Sequence, residues 1–440
     1  MIIRATFENI LSFYEETSIS FVAGKSTSHP EHLYRAVKRD DISLLKSGII
    51  YGANASGKSN LMKAIRILQL IAVHELPKQH IEPFKLQASS SKPSKIELEF
   101  RAKDRYFAYG VVFTIKGIQE EWLFEITSRS EREIFTRITN NQTTEYTFGG
   151  VKADKETGKF LKFLGQATPA YHSFLHEYVE RNGNGLEEVK IAHTWMRDTL
   201  KIIFPNSRYQ GISIDVEKDQ DFKKATKSLL SYFNTGIVDV RRFPVSKEEV
   251  DLPRGMVTDI LSRTLPRTIL CVASYDNSSV YFFDTDSNGK TNIFKQKTVH
   301  FSKQAGDVIF EMDEESDGSV RLLDFIPMLI DLRLNDSVYL IDEIDRSMHP
   351  MLSQKILEYY YEHLSQDLDT QLIFSTHEAN LLNLDLIRAD EVWFVEKDAN
   401  GASQFTSLAE YKPREDVRKG YLLGRYGAIP FFPPIKSLNR

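Results

Sequence analysis

One short stretch has the residue types and spacing of a phosphate-binding loop. It fits the pattern G-x-x-x-x-G-K-[ST] and reads Gly52-Ala53-Asn54-Ala55-Ser56-Gly57-Lys58-Ser59. In such a loop the glycines let backbone N–H groups surround a phosphate, the lysine reaches the outer phosphates and the serine hydroxyl holds Mg²⁺. The residues predicted to contact a nucleoside triphosphate are Gly52, Asn54, Ala55, Ser56, Gly57, Lys58, Ser59 and Asn60. Ser59 is also a predicted magnesium ligand.

The flanks of this loop supply the context that the pattern alone lacks. Residues 47–51 are apolar and β-prone, as expected of a buried parallel strand, and residues 60–68 carry apolar side chains at helical spacing. The helix would begin at the loop and add partial positive charge there. The alternative interpretation is an ordinary glycine-bearing turn before a helix.

An acidic pair later in the chain has the chemistry that a bound magnesium nucleotide needs. The apolar run at 338–341 is followed by Asp342 and Glu343. A strand here would carry Asp342 to its carboxyl end, where open α/β sheets bind ligands, as a direct or indirect magnesium partner. Glu343 is then predicted to act as the general base for a water molecule at the γ-phosphate. Taken alone, the run could also be a strand followed by an acidic turn.

A second apolar run, at 371–375, ends in Thr376 and His377. A histidine at the end of a strand beside the acidic one could donate a hydrogen bond to a γ-phosphate oxygen, so we predict a catalytic role for His377. An isolated histidine is more often structural, and only its position favours this role.

Length and composition limit the classes of function. A chain of 440 residues exceeds a single hydrophobic core, so two lobes or a large insertion are expected. The net charge of −5 provides no general field for nucleic acid and leaves DNA contact open. Cys271 lies in an apolar run and is predicted to be a buried thiol. No stretch is apolar over the roughly 18 residues of a membrane span, so a cytoplasmic protein without membrane contact is expected.

The hydrophobic pattern predicts an α/β fold with three regions. In residues 1–149 we expect strands at 2–7 and 18–22, a loop or short helix at 24–46, and a meander with strands at 95–100, 106–115 and 120–126. Residues 150–235 have helical periodicity and are predicted to form an insertion. Residues 236–440 should complete an α/β layer and end in a Gly/Pro-rich tail.

Small polar residues at 316–319 precede a helical pattern that contains Pro327. Ser316 and Gly318 would place a helix N-terminus there, although the carboxylates nearby argue against a free anion site. Pro327 either kinks this helix or marks its true start.

The order of these motifs resembles the ABC-type ATPase heads of SMC, MutS and OLD proteins. The closer resemblance is to the small prokaryotic AAA/ABC ATPases of phage-defence operons, the RloA/AbiL-like proteins and the ATPase subunit of PARIS-type systems. Further similarity lies at Phe7–Phe13, Pro83–Leu86 and Gly424–Pro430. The resemblance implies an ABC-type P-loop NTPase head with an antiparallel β lobe, a mainly parallel sheet core and a helical insertion.

The resemblance also implies a composite site between subunits. Ser316 and Gly318 would close, as a signature motif, over the ATP bound by another copy of the chain, and Asp345 would bridge the two sites. The motif here reads Glu-Ser-Asp-Gly-Ser in place of consecutive glycines. The implied protein is an ATP- and Mg²⁺-dependent homo-oligomer joined head to head.

Three functions are compatible with these features. The first is an ATPase that senses a phage-derived trigger and controls a separate effector protein, such as a nuclease. The second is a DNA-repair or chromosome-maintenance ATPase, which the short insertion without sustained heptads disfavours. The third is a module that binds ATP without hydrolysis, which Glu343 disfavours.

Overall fold

The computed structural model describes residues 1–35, 41–87, 92–140, 143–149, 155–276, 278–413 and 416–429. The end of the predicted Gly/Pro-rich tail, from residue 430, lies outside the described residues. The strands, in chain order, are β1 (Ile2–Glu8), β2 (Thr17–Ser20), β3 (Leu33–Arg35), β4 (Ser43–Leu45), β5 (Ser47–Tyr51), β6 (Ser94–Ala102), β7 (Arg105–Thr114), β8 (Gly117–Ile126), β9 (Glu131–Asn140), β10 (Thr143–Thr147), β11 (Leu200–Ile203), β12 (Ile237–Pro244), β13 (Thr268–Ala273), β14 (Val280–Thr285), β15 (Thr291–Ser302), β16 (Gly306–Phe310), β17 (Val338–Ile341), β18 (Gln371–Ser375), β19 (Val392–Lys397) and β20 (Ser403–Ser407). The α-helices are α1 (Lys58–Val73), α2 (Lys155–Ala167), α3 (Phe174–Glu180), α4 (Glu187–Thr194), α5 (Ile212–Lys218), α6 (Gln220–Tyr232), α7 (Arg254–Arg263), α8 (Asp317–Leu334), α9 (Pro350–Glu362) and α10 (Val417–Leu422).

The chain divides into two compact units. Unit 1 consists of Met1–Pro205, Asn335–Ile344 and Tyr361–Arg440, and unit 2 consists of Asn206–Leu334 and Asp345–Tyr360. Among the described residues, no helix combines the length and the apolar character that a membrane crossing requires.

The first sheet of unit 1 is antiparallel and has the strand order β10-β9-β8-β7-β6-β1-β2. Alternate residues of β6 are buried, which is the pattern of a strand with one face on a core. The predicted strands at 2–7 and 18–22 and the predicted meander all belong to this sheet, and so do β9 and β10, which were not predicted. The antiparallel β lobe is therefore confirmed.

The second sheet of unit 1 has the order β11-β17-β18-β5-β19-β20. All its neighbouring pairs are parallel except β19 with β20. Every residue of β5, β17 and β18 is buried, which explains why these strands are almost continuously apolar. The predicted α/β class with a mainly parallel core is confirmed.

The two sheets of unit 1 share one hydrophobic core. Side chains of α1, of β6 and of β17 belong to the same buried cluster. A buried polar contact joins the sheets as well, because the Gln371 side chain accepts from Ile2 N at 2.7 Å and donates to the carbonyl oxygens of Ile2 and Leu45. The core thus fixes β18, whose carboxyl end is part of the candidate site.

The stretch predicted as a helical insertion contains α2 to α6 and also β11, which pairs with β17 in the core sheet. The stretch at 24–46, predicted to be a loop or a short helix, contains a one-turn helix at Pro30–His32 and the β3–β4 hairpin.

Unit 2 contains an antiparallel sheet with the order β12-β15-β14-β13, to which β16 adds by pairing with β15. The long helix α8 begins at Asp317 and keeps Pro327 in its interior, so Pro327 does not mark the start of the helix. Cys271 in β13 is half-buried rather than fully buried, and burial raises the pKa of its thiol to about 11.

Candidate nucleotide-binding site

The motif-bearing ends of three parallel strands lie at one edge of the core sheet. β18 runs between β17 and β5, with Phe374 paired to Ile341 on one side and to Ile49 on the other. Because the strands are parallel and in this register, the residues that follow them leave the sheet at the same edge. The phosphate loop, the acidic pair and His377 are therefore brought together at the carboxyl edge of the sheet.

The phosphate loop connects β5 to α1 and is held by its own lysine. The buried Lys58 amino group donates to the carbonyl oxygens of Gly52 at 2.7 Å and Ala53 at 3.2 Å. Ala55 has a φ of 63° and Gly57 a φ of 121°, so the loop turns through backbone conformations that L-residues rarely adopt. Asn54 and Ala55 are exposed at the turn, while Ser59 and Asn60 are half-buried in the first turn of α1.

Residues distant in sequence support the underside of the loop. The Ser403 hydroxyl donates to the Ser56 carbonyl oxygen at 2.6 Å, lies 2.8 Å from the Ser12 hydroxyl and accepts from Lys397 Nζ at 3.0 Å. Burial lowers the pKa of Lys397. The sequence carried no motif for Ser403 or Lys397, and Ser12 was noted only as part of the Phe7–Phe13 similarity.

Gly57 is fitted closely against this serine pair. A Cβ atom at Gly57 would overlap the Ser403 hydroxyl and lie 2.8 Å from the Ser12 hydroxyl. A glycine is therefore required here both by its φ angle and by the close approach of the two serines.

The acidic pair is positioned by the neighbouring strand. The Ser375 hydroxyl donates to Asp342 Oδ1 at 2.7 Å and accepts from the backbone N–H of Glu343 at 2.8 Å. The Asp342 side chain is buried, whereas Glu343 is half-buried and has a φ of 55°. One serine thus orients both members of the pair, a role that the sequence interpretation did not assign to Ser375.

His377 is exposed and lies two residues beyond the end of β18. The preceding residue, Thr376, is buried, and its backbone N–H donates to the Ile50 carbonyl oxygen at 3.1 Å. The histidine therefore leaves the sheet directly beside the strand that leads into the phosphate loop.

Ser316, Gly318 and Asp345 belong to unit 2. Ser316 is exposed and accepts from the backbone N–H of Ser319 at 3.1 Å, so it caps the N-terminus of α8. A Cβ atom at Gly318 would lie 2.9 Å from the carbonyl oxygen of Ser347. The signature residues and the segment that follows Asp345 are thus packed together.

The residues present fit a magnesium nucleotide. Within the described part of the chain, the buried Ser56 Oγ atom has no hydrogen-bond partner, which suits a donor aimed at an added acceptor. Gly52 and Gly57 leave no room for a Cβ atom, so the loop backbone is closely packed, and a buried carboxylate from Asp342 stands at the same sheet edge. Phosphate oxygens and a divalent cation are the groups that this donor and acceptor set complements.

Two solved structures of SMC heads align with most of the chain. The crystal structure of an Smc head bound to the C-terminal winged-helix domain of ScpA aligns over 94% of this chain and 99% of its own, with 13% identity and a TM-score of 0.42. The SMC head domain from Thermotoga maritima aligns over 92% of this chain and 98% of its own, with 12% identity and a TM-score of 0.39. No curated protein sequence matches the chain.

One family model matches residues 49–383, which include the phosphate loop, the acidic pair and His377. Its description is "AAA domain, putative AbiEii toxin, Type IV TA system". The match spans well over half of the chain, and the chain therefore belongs to this family of AAA-type P-loop ATPases.

Proposed function

We propose that this protein binds and hydrolyses ATP and uses the nucleotide cycle to control a separate effector protein in antiviral defence. The proposed ATPase activity is supported by one observation. The phosphate loop with Lys58 lies at the same edge of the sheet as Asp342 and Glu343. Phosphoryl transfer depends on positioning and charge stabilisation more than on covalent chemistry, and this edge supplies both.

Each side chain has a distinct role in this proposal. Lys58 and the N–H groups of the loop bind the phosphates, and the Ser59 hydroxyl and Asp342 carboxylate hold Mg²⁺, which neutralises phosphate charge when bound. Glu343 orients and deprotonates the attacking water, and its half-exposed position leaves it open to that water. His377 donates a hydrogen bond to the terminal phosphate.

The remaining residues act between subunits. We place Ser316 and Gly318 of one copy against the ATP bound by a second copy, with Asp345 at the connection between the two sites. Support comes from the exposure of Ser316 at the N-terminus of α8, where a helix favours negative charge. The bound ATP would then lie at the interface between the two heads and would be required for their association.

The defence role is supported by the family description, which names a toxin and a toxin–antitoxin system. We propose that the effector is another chain, such as a nuclease, and that a phage-derived component triggers its release in the cytoplasm. Isolation of the native complex followed by mass spectrometry tests this part. An effector nuclease in the complex supports it, and chromosome-segregation proteins alone would contradict it.

The ATPase assignment is tested by Glu343→Gln, with Glu120→Gln on the exposed part of β8 as the matched control. We expect E343Q to bind ATP as the wild type does but to turn it over about 100-fold or more slowly, since general-base catalysis contributes that much. The control should keep wild-type turnover. Equal turnover in E343Q and wild type removes Glu343 from the mechanism, and calorimetry that detects no ATP uptake by the folded wild type removes the proposed function.

The second candidate is a DNA-repair ATPase of the SMC or MutS type. Fluorescence anisotropy with duplex DNA over a series of salt concentrations separates the two. Strong, salt-sensitive binding at physiological ionic strength favours repair, because phosphate contacts release counterions.

A further inference from the structure

A group of metal-ligand side chains lies outside the nucleotide site, in the segment 24–32 that precedes β3. His29, Glu31 and His32 bring one ligand atom each to within 4.8 Å of one another. His29 Nδ1 is 3.3 Å from Glu31 Oε1, and His32 Nε2 is 3.9 Å from the same oxygen. Ligands of a tetrahedral zinc ion bonded at about 2.0–2.1 Å are separated by roughly 3.3 Å. The distance from His29 Nδ1 to Glu31 Oε1 matches this spacing, and the longer distance from His32 Nε2 requires a small side-chain movement on binding.

The outer ring nitrogens of both histidines show which nitrogens carry protons. His29 Nε2 lies 3.0 Å from the Leu384 carbonyl oxygen, which can only accept, so this nitrogen carries hydrogen. His32 Nδ1 lies 3.0 Å from the buried carboxylate of Glu391 and is protonated for the same reason. In a neutral imidazole the other nitrogen then has a lone pair.

Both of these inner nitrogens lie near the same carboxylate oxygen. His29 Nδ1 and His32 Nε2 are 3.3 and 3.9 Å from Glu31 Oε1. The two imidazole rings are stacked, with centroids 4.9 Å apart and planes inclined by 17°. A shared cation therefore requires the half-buried His29 ring to rotate, and the cation would then balance the charge of the carboxylate.

The surroundings hold the His32 imidazole in place. His32 is buried and stacks on the Tyr361 ring, with centroids 3.8 Å apart. The buried Arg388 guanidinium donates to the carbonyl oxygens of Ser26 and Ser28, which fixes the chain directly before His29. A metal-binding histidine is characteristically oriented in this manner by a carboxylate or carbonyl on its second nitrogen.

We propose that His29 Nδ1, His32 Nε2 and the Glu31 carboxylate form a zinc-binding site, separate from the nucleotide site. Two imidazoles and one carboxylate suit Zn²⁺ and leave a fourth position for water. Glu31 is 55% exposed, so the ion can enter from solvent, whereas His32 is 2% exposed and anchors it.

The test is direct zinc binding by the untagged chain at pH 8, after treatment with a chelator. Zinc is titrated against a chromophoric chelator, and Co²⁺ is added separately to record the visible spectrum of a bound ion. We expect one equivalent of Zn²⁺ per wild-type chain, a tetrahedral Co²⁺ spectrum and a higher Tm with zinc.

The variants are His29→Gln and Glu31→Gln, both at partly exposed positions, with His80→Gln as the matched control. His80 is exposed and lies in another one-turn helix of unit 1, at Lys78–His80. Each ligand variant should weaken zinc binding at least tenfold while the control keeps wild-type affinity, and Glu391→Gln should weaken it by about 10- to 100-fold.

Two results would overturn the proposal. One is a wild-type chain that takes up no more zinc than the H29Q/E31Q double variant. The other is an equal loss of zinc in H80Q. Far-UV circular dichroism of each variant confirms that a loss of binding is not a loss of folding.

Discussion

The Ser375 hydroxyl donates a hydrogen bond of 2.7 Å to Asp342 Oδ1. The Ser375 hydroxyl oxygen also accepts a hydrogen bond from the backbone N–H of Glu343 at 2.8 Å. The two acidic residues therefore have one common partner on the neighbouring strand. The site therefore depends on a residue that is neither acidic nor part of the phosphate loop.

Ser375→Ala should lower both stability and turnover. The buried Asp342 carboxylate loses a partner, which costs about 1–3 kcal/mol in the free energy of unfolding. Turnover should fall about 10- to 100-fold, as for other residues that orient a catalytic group. Urea unfolding and steady-state ATP hydrolysis measure the two effects.

The control for this variant is Ser353→Ala. Ser353 is also a buried serine, but its hydroxyl has no hydrogen-bond partner among the described residues. Its removal should change the free energy of unfolding by less than about 0.5 kcal/mol. If S375A keeps wild-type turnover, Ser375 does not position the acidic pair.

Gly57→Ala should prevent ATP binding and destabilise the fold. The added Cβ is strained by the φ of 121° and overlaps the Ser403 hydroxyl, and each effect costs about 1–3 kcal/mol. Gly289→Ala is the control, because Gly289 has a φ of 82° but open space around it. G289A should cost only about 1 kcal/mol. If urea unfolding shows the same loss of stability in G57A and G289A, the effect of G57A is due to backbone strain alone.

Ser316→Asp separates the capping role of Ser316 from the proposed contact with ATP. Aspartate caps helices as well as serine does, so stability should be unchanged, whereas its charge repels a triphosphate held by a second copy. In the E343Q background, light scattering should show ATP-dependent dimers that S316D abolishes. Ser246→Asp, at the exposed cap of the one-turn helix Lys247–Glu249 in unit 2, should leave the dimers intact. Dimers that persist in S316D would exclude the proposed contact.

His193 should make the fold sensitive to acid. The side chain is buried, neither ring nitrogen has a hydrogen-bond partner among the described residues, and burial lowers its pKa from 6.5 to about 4. Since the folded state favours the neutral ring, its contribution to stability is complete above pH 6.5 and is lost as the pH falls towards 4. His193→Phe should reduce the pH dependence of the unfolding free energy in this window by on the order of 1 kcal/mol per pH unit.

Urea unfolding at several pH values between 4 and 7 measures this slope for wild type and H193F. His80→Phe is the control, because His80 is exposed to solvent. Identical slopes in H193F and wild type would contradict the assignment.

The elements that carry chemistry were predictable because their signals are local. The strand before Gly52 and the strands that end at Ile341 and Ser375 were each expected within one or two residues of their observed bounds. The helix after the loop was expected at 60–68 and extends further, to Val73. A continuous apolar run bounded by glycine or acidic residues indicates a buried parallel strand, and this signal depends only on the residues of the strand itself.

What could not be predicted depends on pairing between distant segments. β15 is polar along much of its length, and it is a strand because it pairs with β12 and β14. β11 belongs to the core sheet although it lies in a stretch whose periodicity is otherwise helical. Ser12 and Ser403 support the phosphate loop only because the fold brings them together, and two isolated serines give no sequence signal. The proposed zinc ligands were missed because the segment 24–46 has no regular period.

The left-handed backbone at Glu343 has a consequence for how this protein could be engineered. A glutamate with a φ of 55° raises the free energy of the folded state by about 1 kcal/mol relative to a glycine with the same φ. A library of variants selected only for heat resistance should therefore enrich Glu343→Gly. The selected variants would be more stable but would lack the proposed general base.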